Sequence, residues 1–469
     1  MNQYNKLKKN TIVLTIGNFS SKFMSYILVP LYTYALSTSE YGVVDLISTT
    51  VSLLIPVMTL VVSESVMRYA LDNKYDRSQV FSIGIYITVA SCLIFLMLYP
   101  FINRIDMLGK YFLLFYGVYV SHAVTSIVGQ FVKGIEKIKT YTIAGVVQTF
   151  SFLVINIVAL LILRTGVTGY LLSNILSNCL GITILAVGAQ LHRFLISPNK
   201  LDLVTMKEML GYSIPLIPNN ISWWISDSSD KYILALFYGA GVVGMYSTAY
   251  KIPSIMQVFT TIFWSAWQIS AVENFGSKES EIFFGSVYRN LSSLFTLVCA
   301  FVICASEFIA FFAFQNEFFR AWTYSPLLIL GFLFSGLSSF LGSVYTSAKK
   351  TRMIFVSTIC AACINIALNF VLIPPYGGYG AAIATLLSYF AIWLFRIIDT
   401  RKILKIEINL KKDAVNYLVL LVLVIITISF HGMCRSLLSI LLVSLIIYNE
   451  RSFINQILKI LKVRYGTLK

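Results

Sequence analysis

Apolar residues fill the chain in runs of about twenty, separated by short polar connections; neither the alternation of a half-buried strand nor the one-sided stripe of a soluble helix dominates. In windows of about 19 residues these runs predict helices near 11–36, 43–66, 80–100, 111–131, 140–163 and 168–192. After a polar connection at 193–209 they continue near 210–238, 243–270, 282–306, 322–347, 353–374, 379–395, 414–432 and 436–449. An apolar helix of about 20 residues crosses the hydrocarbon core of a bilayer. The pattern therefore predicts an all-α polytopic membrane protein of about fourteen spans. The longest polar stretches, 193–209, 396–413 and 450–469, are too short to fold as a soluble catalytic domain.

Composition agrees with that reading. The 469 residues are 58% hydrophobic and only 12% charged, with mean hydropathy +0.80, against about 25% charged in soluble chains. The excess of 36 Lys and Arg over 20 Asp and Glu would suggest nucleic acid in a soluble protein; here it marks topology instead. With the N-terminus cytoplasmic, the alternate connections and both tails hold 28 of the 36 cations. The opposite side holds 5, and Lys22, Lys231 and Lys251 fall inside helices. This asymmetry predicts an even number of spans with both termini cytoplasmic. The first apolar run is too long for a signal peptide and lacks a cleavage site, so it reads as an uncleaved helix. In the tail, Phe453, Ile454, Ile457, Leu458 and Leu461 recur at helical spacing, as in a helix lying on the inner leaflet.

Little in the sequence points to catalysis. The seven Cys lie in or beside apolar segments and read as buried thiols, the Cys360-x-x-Cys363 pair included, and the three His at 122, 192 and 431 form no metal cluster. No GxxxxGK[ST] phosphate loop occurs. The expectation is a protein that is no enzyme, with no cofactor or metal and with neither ATP nor nucleic acid as partner.

The chain repeats itself. Gly129, Lys137, Lys139 and Asn156 match Gly342, Lys350, Arg352 and Asn369 at an offset of 213, and residues 166–177 align with 377–388 at 211. Tyr41-Gly42-Val43-Val44 faces Val243-Gly244-Met245-Tyr246 at an offset of 202. Two six-helix lobes of like orientation follow, with a site between them near the midplane. The expected organisation is a first lobe over 1–192, a cytoplasmic linker over 193–209 and a second lobe over 210–395. Two extra helices with a preceding basic loop follow over 396–449, then a basic cytoplasmic tail over 450–469.

The stretches LVPLYTYALSTSEYGVVDL (28–46) and DKYILALFYGAGVVGMYSTAYKIP (230–253), with the twelve-plus-two helix count, resemble the polysaccharide transporter branch of the multidrug/oligosaccharidyl-lipid/polysaccharide exporter superfamily, which includes O-antigen and capsule flippases. The resemblance implies two lobes in a V around a central cavity and transport by alternating access. It implies as cargo a glycan linked to undecaprenyl diphosphate, moved across the bacterial cytoplasmic membrane for O-antigen, capsule or exopolysaccharide synthesis. Membrane lipid and polysaccharide polymerase machinery are the implied partners. A cation-coupled drug or metabolite antiporter of the same superfamily is the alternative.

Ionisable residues at bilayer depth need a partner or a wet cavity. Asn18, Lys22 and Ser25 form a polar stripe on the first helix, and Lys22 lies too deep to snorkel. Lys251 precedes a bend at Pro253, and the resemblance aligns Tyr250-Lys251-Ile252-Pro253 with a basic motif of lipid II flippases and Asp45 with a membrane carboxylate of the same relatives. Asp227 and Lys231 stand at i, i+4 on helix seven and are expected to pair, leaving Asp230 to hold Lys251 or to sense a cation. Pro215 and Pro218 break the same helix, which makes it a candidate moving gate. Glu64 and Arg68 read as an interfacial pair. Trp223, Trp224, Trp264 and Trp267 lie too deep for an aromatic belt and serve either helix packing or sugar stacking. An antiporter for cationic cargo would need buried carboxylates, whereas Lys22 and Lys251 add positive charge.

The cation asymmetry sets a test of topology. A cysteine placed at Tyr376 or Gly241 is expected to react with an impermeant maleimide added outside the cell, and one at Lys350 is not; labelling at Lys350 would refute the orientation.

Overall fold

In the computed structural model the described residues are 26–104, 106–276, 279–348 and 350–466, and among them the regular structure is helical, with no strand. Among the described residues twelve helices are long and apolar enough to cross a membrane. Two expected spans fall outside that twelve. Most of 11–36 lies outside the described residues, which show helix over 26–35; the span expected at 243–270 is divided by a turn at 250–253. Asn18, Lys22 and Ser25 also lie outside the described residues.

The chain forms two compact units, Met1–Gly244 and Met245–Lys469. The first contains α1 (26–35), α2 (Thr38–Met58), α3 (Val62–Leu71), α4 (Arg77–Met97), α5 (Phe112–Gly134) and α6 (Ile138–Asn156), which widens into a π-helical turn over Ile157–Ile162. It continues through α7 (Gly166–Ala189), α8 (Leu203–Ser213) and most of α9 (Ile217–Ala249). The span expected at 43–66 is two helices. Pro56 cannot donate into the helix, and Leu60 and Val61 turn left-handed at φ 54°, which starts α3. Starts are capped as the sequence allows: Ser37 and Glu40 make a reciprocal capping box on α2. Asp202, before α8, accepts from the Thr205 hydroxyl and from the amides of Val204 and Thr205. Those bonds hold its carboxyl below the ordinary range. Two apolar clusters form the core, one around Val62, Phe81, Phe131 and Met209, the other around Val44, Ile47, Phe95 and Phe115.

The second unit contains α10 (Ser254–Asn274), α11 (Ser280–Ala313), α12 (Ser325–Ser347), α13 (Thr351–Tyr376), α14 (Gly378–Thr400), α15 (Leu410–Ser429), α16 (Gly432–Asn449) and α17 (Arg451–Gly466). The span ending in α12 is 89% buried, so α12 is the central post about which its neighbours pack. Arg396, expected in a basic loop, instead lies inside α14 and is 1% exposed. It donates to the Ser338 carbonyl (2.9 Å) and to the hydroxyls of Ser357 (3.0 Å) and Thr358 (3.2 Å). The thiols depart from expectation too: Cys299 is buried, but Cys179, Cys304, Cys360, Cys363 and Cys434 are exposed on their helices. A membrane helix turns apolar residues outward to lipid, so apolar surroundings in sequence do not mark the protein interior. The tail is helical, as its periodicity predicts.

Glu450, 1% exposed between α16 and α17, gathers the second unit's C-terminal helices. Its carboxylate accepts from Ser293 on α11 (2.5 Å) and from Asn416 and Lys412 on α15 (2.6 Å each). Removing one partner of a buried ion pair costs about 3 to 5 kcal/mol. Glu450→Ala is expected to lower the detergent thermal midpoint markedly, while Glu450→Gln, which keeps the hydrogen bonds to Ser293 and Asn416, recovers part of the loss; an unchanged midpoint in Glu450→Ala would refute the assignment.

Candidate functional site

Within the first unit, α2 and α9 meet along a seam of polar contacts and close backbone approach. Lys231 Nζ lies 2.8 Å from Asp45 Oδ2, with the side chains 13% and 19% exposed. Beside the pair, the hydroxyls of Thr50 and Tyr232 lie 2.5 Å apart, and Trp224 Nε1 donates to the Thr49 carbonyl at 3.0 Å. Trp224 also packs its ring against Tyr232, centroids 5.4 Å apart. The structure brings Lys231 to Asp45, 186 positions earlier, a contact that no local spacing announces. Asp230 is 1% exposed, and its Oδ1 accepts the Lys231 amide at 2.9 Å.

At the end of the seam the backbones themselves touch. A Cβ on Gly42 would run into the Ala240 carbonyl, and one on Gly244 into the Thr38 carbonyl. Thr38 and Gly42 are the 202-offset counterparts of Ala240 and Gly244, so the repeat found in the sequence packs reciprocally against its own copy. Only small residues permit such an approach between membrane helices. Just before it, Gly239 leaves helical geometry at φ 77°, a value that favours glycine.

The remaining expected site residues are distributed as follows. Pro215 sits in the 3-10 turn Ile214–Leu216 and Pro218 at the second residue of α9, so the α8–α9 segment is broken where the prolines predict. Lys251 is half-buried in the turn that precedes α10, with Pro253 at its N-cap, the expected bend. Asp227 lies on α9, one turn before Lys231. Glu64 and Arg68 do not pair; Gln130 Nε2 approaches Glu64 Oε1 at 3.5 Å. Trp267 serves packing, donating to Ser343 at 2.8 Å and stacking on Phe340. Asn156 and Asn369, the repeat-related asparagines, are both fully buried, and each leaves its Oδ1 without a partner among the described residues. Among those residues no three His, Cys, Asp or Glu gather as metal ligands.

A feature the sequence reading missed is a cavity of about 480 Å³ within the first unit, lined by residues of α5, α6 and α7. At its wall, Asn174 Oδ1 takes bonds from His122 Nε2 (2.8 Å) and Asn178 Nδ2 (2.9 Å), Asn178 reaches Ser121 Oγ at 3.2 Å, and Gln148 bonds Asn178. Lys133, held over the Tyr141 ring at 4.6 Å, also lines it. Among the described residues the lining contains no carboxylate. The polar residues were present in the sequence, but three helices have to pack before their amides share one wall.

These helices define a polytopic membrane protein with the exporter fold. The chain belongs to the polysaccharide biosynthesis protein family, whose family model matches residues 7–267, and so to the polysaccharide transporter branch that its sequence resembles. It is 22% identical over 428 residues to an uncharacterised membrane protein of Methanocaldococcus jannaschii, covering 84% of this chain and 99% of that one. It is 25% identical over 193 residues, 39% of each chain, to the probable low-salt glycan biosynthesis flippase Agl15 of Haloferax volcanii. Among solved structures, the lipid II flippase MurJ in an inward closed conformation matches with TM-score 0.68 at 15% identity, over 94% of this chain and all of that one. A superfamily transporter from Pyrococcus furiosus matches at TM-score 0.59 and 13% identity, over 84% of this chain and 96% of that one. At these identities the structural likeness shows the fold.

The seam predicts a paired response. Asp45→Ala and Lys231→Ala each strand a largely buried charge and are expected to cost about 3 kcal/mol, read as a lower thermal midpoint. The reversed pair, Asp45→Lys with Lys231→Asp, is expected to recover most of that loss; no recovery in the reversed pair would refute a role in mutual neutralisation.

Proposed function

We propose that the protein is a flippase that moves an undecaprenyl-diphosphate-linked oligosaccharide from the inner to the outer leaflet of the bacterial cytoplasmic membrane, for O-antigen, capsule or exopolysaccharide synthesis. The observation that carries this reading is family membership together with a fold that matches a lipid II flippase along that protein's whole length. The name of the Haloferax relative, a glycan biosynthesis flippase, points the same way. The lipid tail can stay in the bilayer during such a transfer, so the protein has only to solvate a diphosphate and sugars. In this reading Lys22 and Lys251 attract the diphosphate, since an ammonium in a partly dry cavity interacts with phosphate more strongly than in water. Asn18 and Ser25 extend the polar face beside Lys22. The Asp45–Lys231 pair, with Asp227 and Asp230, biases α9 between two arrangements of an alternating-access cycle, and Pro215 and Pro218 supply its hinge. Both termini are cytoplasmic, and the polysaccharide polymerase takes over the product.

Reconstituted in vesicles with a fluorescent lipid-linked glycan, the protein is expected to make the glycan accessible on the far leaflet, and Lys251→Ala to reduce that rate at least tenfold while still inserting. If the glycan stays inaccessible under every ion gradient while a cationic dye is exported, the antiporter reading replaces this one.

A further inference from the structure

The cavity of the first unit has a hydrogen-bonding polarity that its residue names alone do not reveal. Three hydroxyls on its wall give their hydrogens to their own helices: Thr125 to the Ser121 carbonyl (2.8 Å), Thr142 to Ile138 (3.0 Å) and Ser177 to Asn174 (2.9 Å). Each hydroxyl oxygen keeps acceptor capacity. The amides add both kinds of group: Asn174 spends its Oδ1 on His122 and Asn178 and keeps its Nδ2 hydrogens. Gln148 gives an Nε2 hydrogen to Asn178, and Gln130, also on the wall, buries its Oε1 without a partner among the described residues. Because Asn174 Oδ1 can only accept, the His122 Nε2 it faces carries the hydrogen, which spends that donor as well.

A wall that offers hydroxyl oxygens as acceptors and amide hydrogens as donors suits a ligand rich in hydroxyls, which give and accept hydrogen bonds alike. Among the described residues Lys133 is the one Lys or Arg on the lining, and it is held over the Tyr141 ring, which leaves little positive charge to hold an inorganic anion. An organic cation would look for a carboxylate, and the described residues of the lining offer none. A volume of about 480 Å³ lies within the range of small-molecule sites. We propose that this cavity is a sugar-binding site contained within the first unit, taking a neutral, hydroxyl-rich ring through the ring's own hydroxyl groups. The inference rests on the flippase reading for the source of that ring, the glycan of the cargo.

The wall also supplies its own plug. A Cβ on Gly145 would meet nothing within 4 Å, so Gly145→Phe grows into the cavity without backbone conflict. Gly211 on α8 has equally open surroundings and is no part of the lining, which makes Gly211→Phe the matched control. Full-length protein in nanodiscs is examined by saturation-transfer NMR against methyl glycosides of glucose, galactose, N-acetylglucosamine and rhamnose, with inorganic phosphate and tetraphenylphosphonium as competitors. Wild type and Gly211→Phe are expected to show ring signals from at least one glycoside. Gly145→Phe is expected to weaken its binding at least tenfold, and Gln148→Met, which removes an amide without filling the space, to weaken it by a similar factor. In cells lacking the chromosomal copy, wild type and Gly211→Phe are expected to restore surface glycan, and Gly145→Phe to restore less than a tenth. No glycoside signal in wild type, unchanged binding in both cavity variants, or displacement by phosphate or tetraphenylphosphonium would overturn the sugar site. Full export by Gly145→Phe would overturn it while leaving the flippase standing; failure of the wild type to restore export, with glycoside binding intact, would overturn the flippase instead.

Discussion

Hydrocarbon offers no hydrogen bonds, so every polar group that this chain carries into the membrane has to be answered by another part of the chain or by a wet cavity. That constraint explains why the polar residues of so apolar a protein occur in closed sets. Asp45 meets Lys231 across α2 and α9. Arg396 is held by a carbonyl and two hydroxyls on α12 and α13. Glu450 collects Ser293, Asn416 and Lys412. In each set, groups distant in sequence fix which helix faces which, a specificity that apolar side chains alone cannot supply when lipid is as apolar as the protein.

The same constraint separates what was legible in the sequence from what was not. Spans could be read because each needs about twenty apolar residues in one run, and the prolines announced the breaks at 215–218 and 253. Boundaries were less legible where a helix runs past its apolar core: Arg396 looked like loop because a charge normally ends a span, yet three oxygens on neighbouring helices keep it inside. Pairing was hardest. The i, i+4 spacing of Asp227 and Lys231 offered a local partner for a lysine whose contact with Asp45 exists only after α2 and α9 pack. The cavity was missed for a related reason: its wall is shared by three helices, each of which contributes amides and hydroxyls that look ordinary in isolation.

The 202-offset match deserves a physical reading beyond similarity. Repeats persist in sequence where each copy meets a demand that the other also meets. Here the demand is mutual: Gly42 admits the Ala240 carbonyl and Gly244 admits that of Thr38, so a larger residue in either copy would force the two backbones apart. A crossing built from backbone contact has no long side chains to entangle.

A carrier for lipid-linked glycans faces two chemistries in one ligand, a diphosphate that calls for positive charge and sugars that call for hydrogen-bond partners. The first is met by a few cations, and charge alone discriminates poorly among phosphorylated lipids. Discrimination requires groups that are left unsatisfied by the wrong ligand, since a buried acceptor without its donor loses about 1 to 3 kcal/mol. The Asn174, Asn178 and Gln148 wall has that character: its members hold one another in place, and they leave both acceptor oxygens and the Asn174 Nδ2 hydrogens to a ligand. Selectivity among glycans would then come from how many ring hydroxyls reach that wall, a property separate from the ion pair between α2 and α9. Sugar specificity could change in relatives through the amides of α6 and α7 while the Asp45–Lys231 seam is kept.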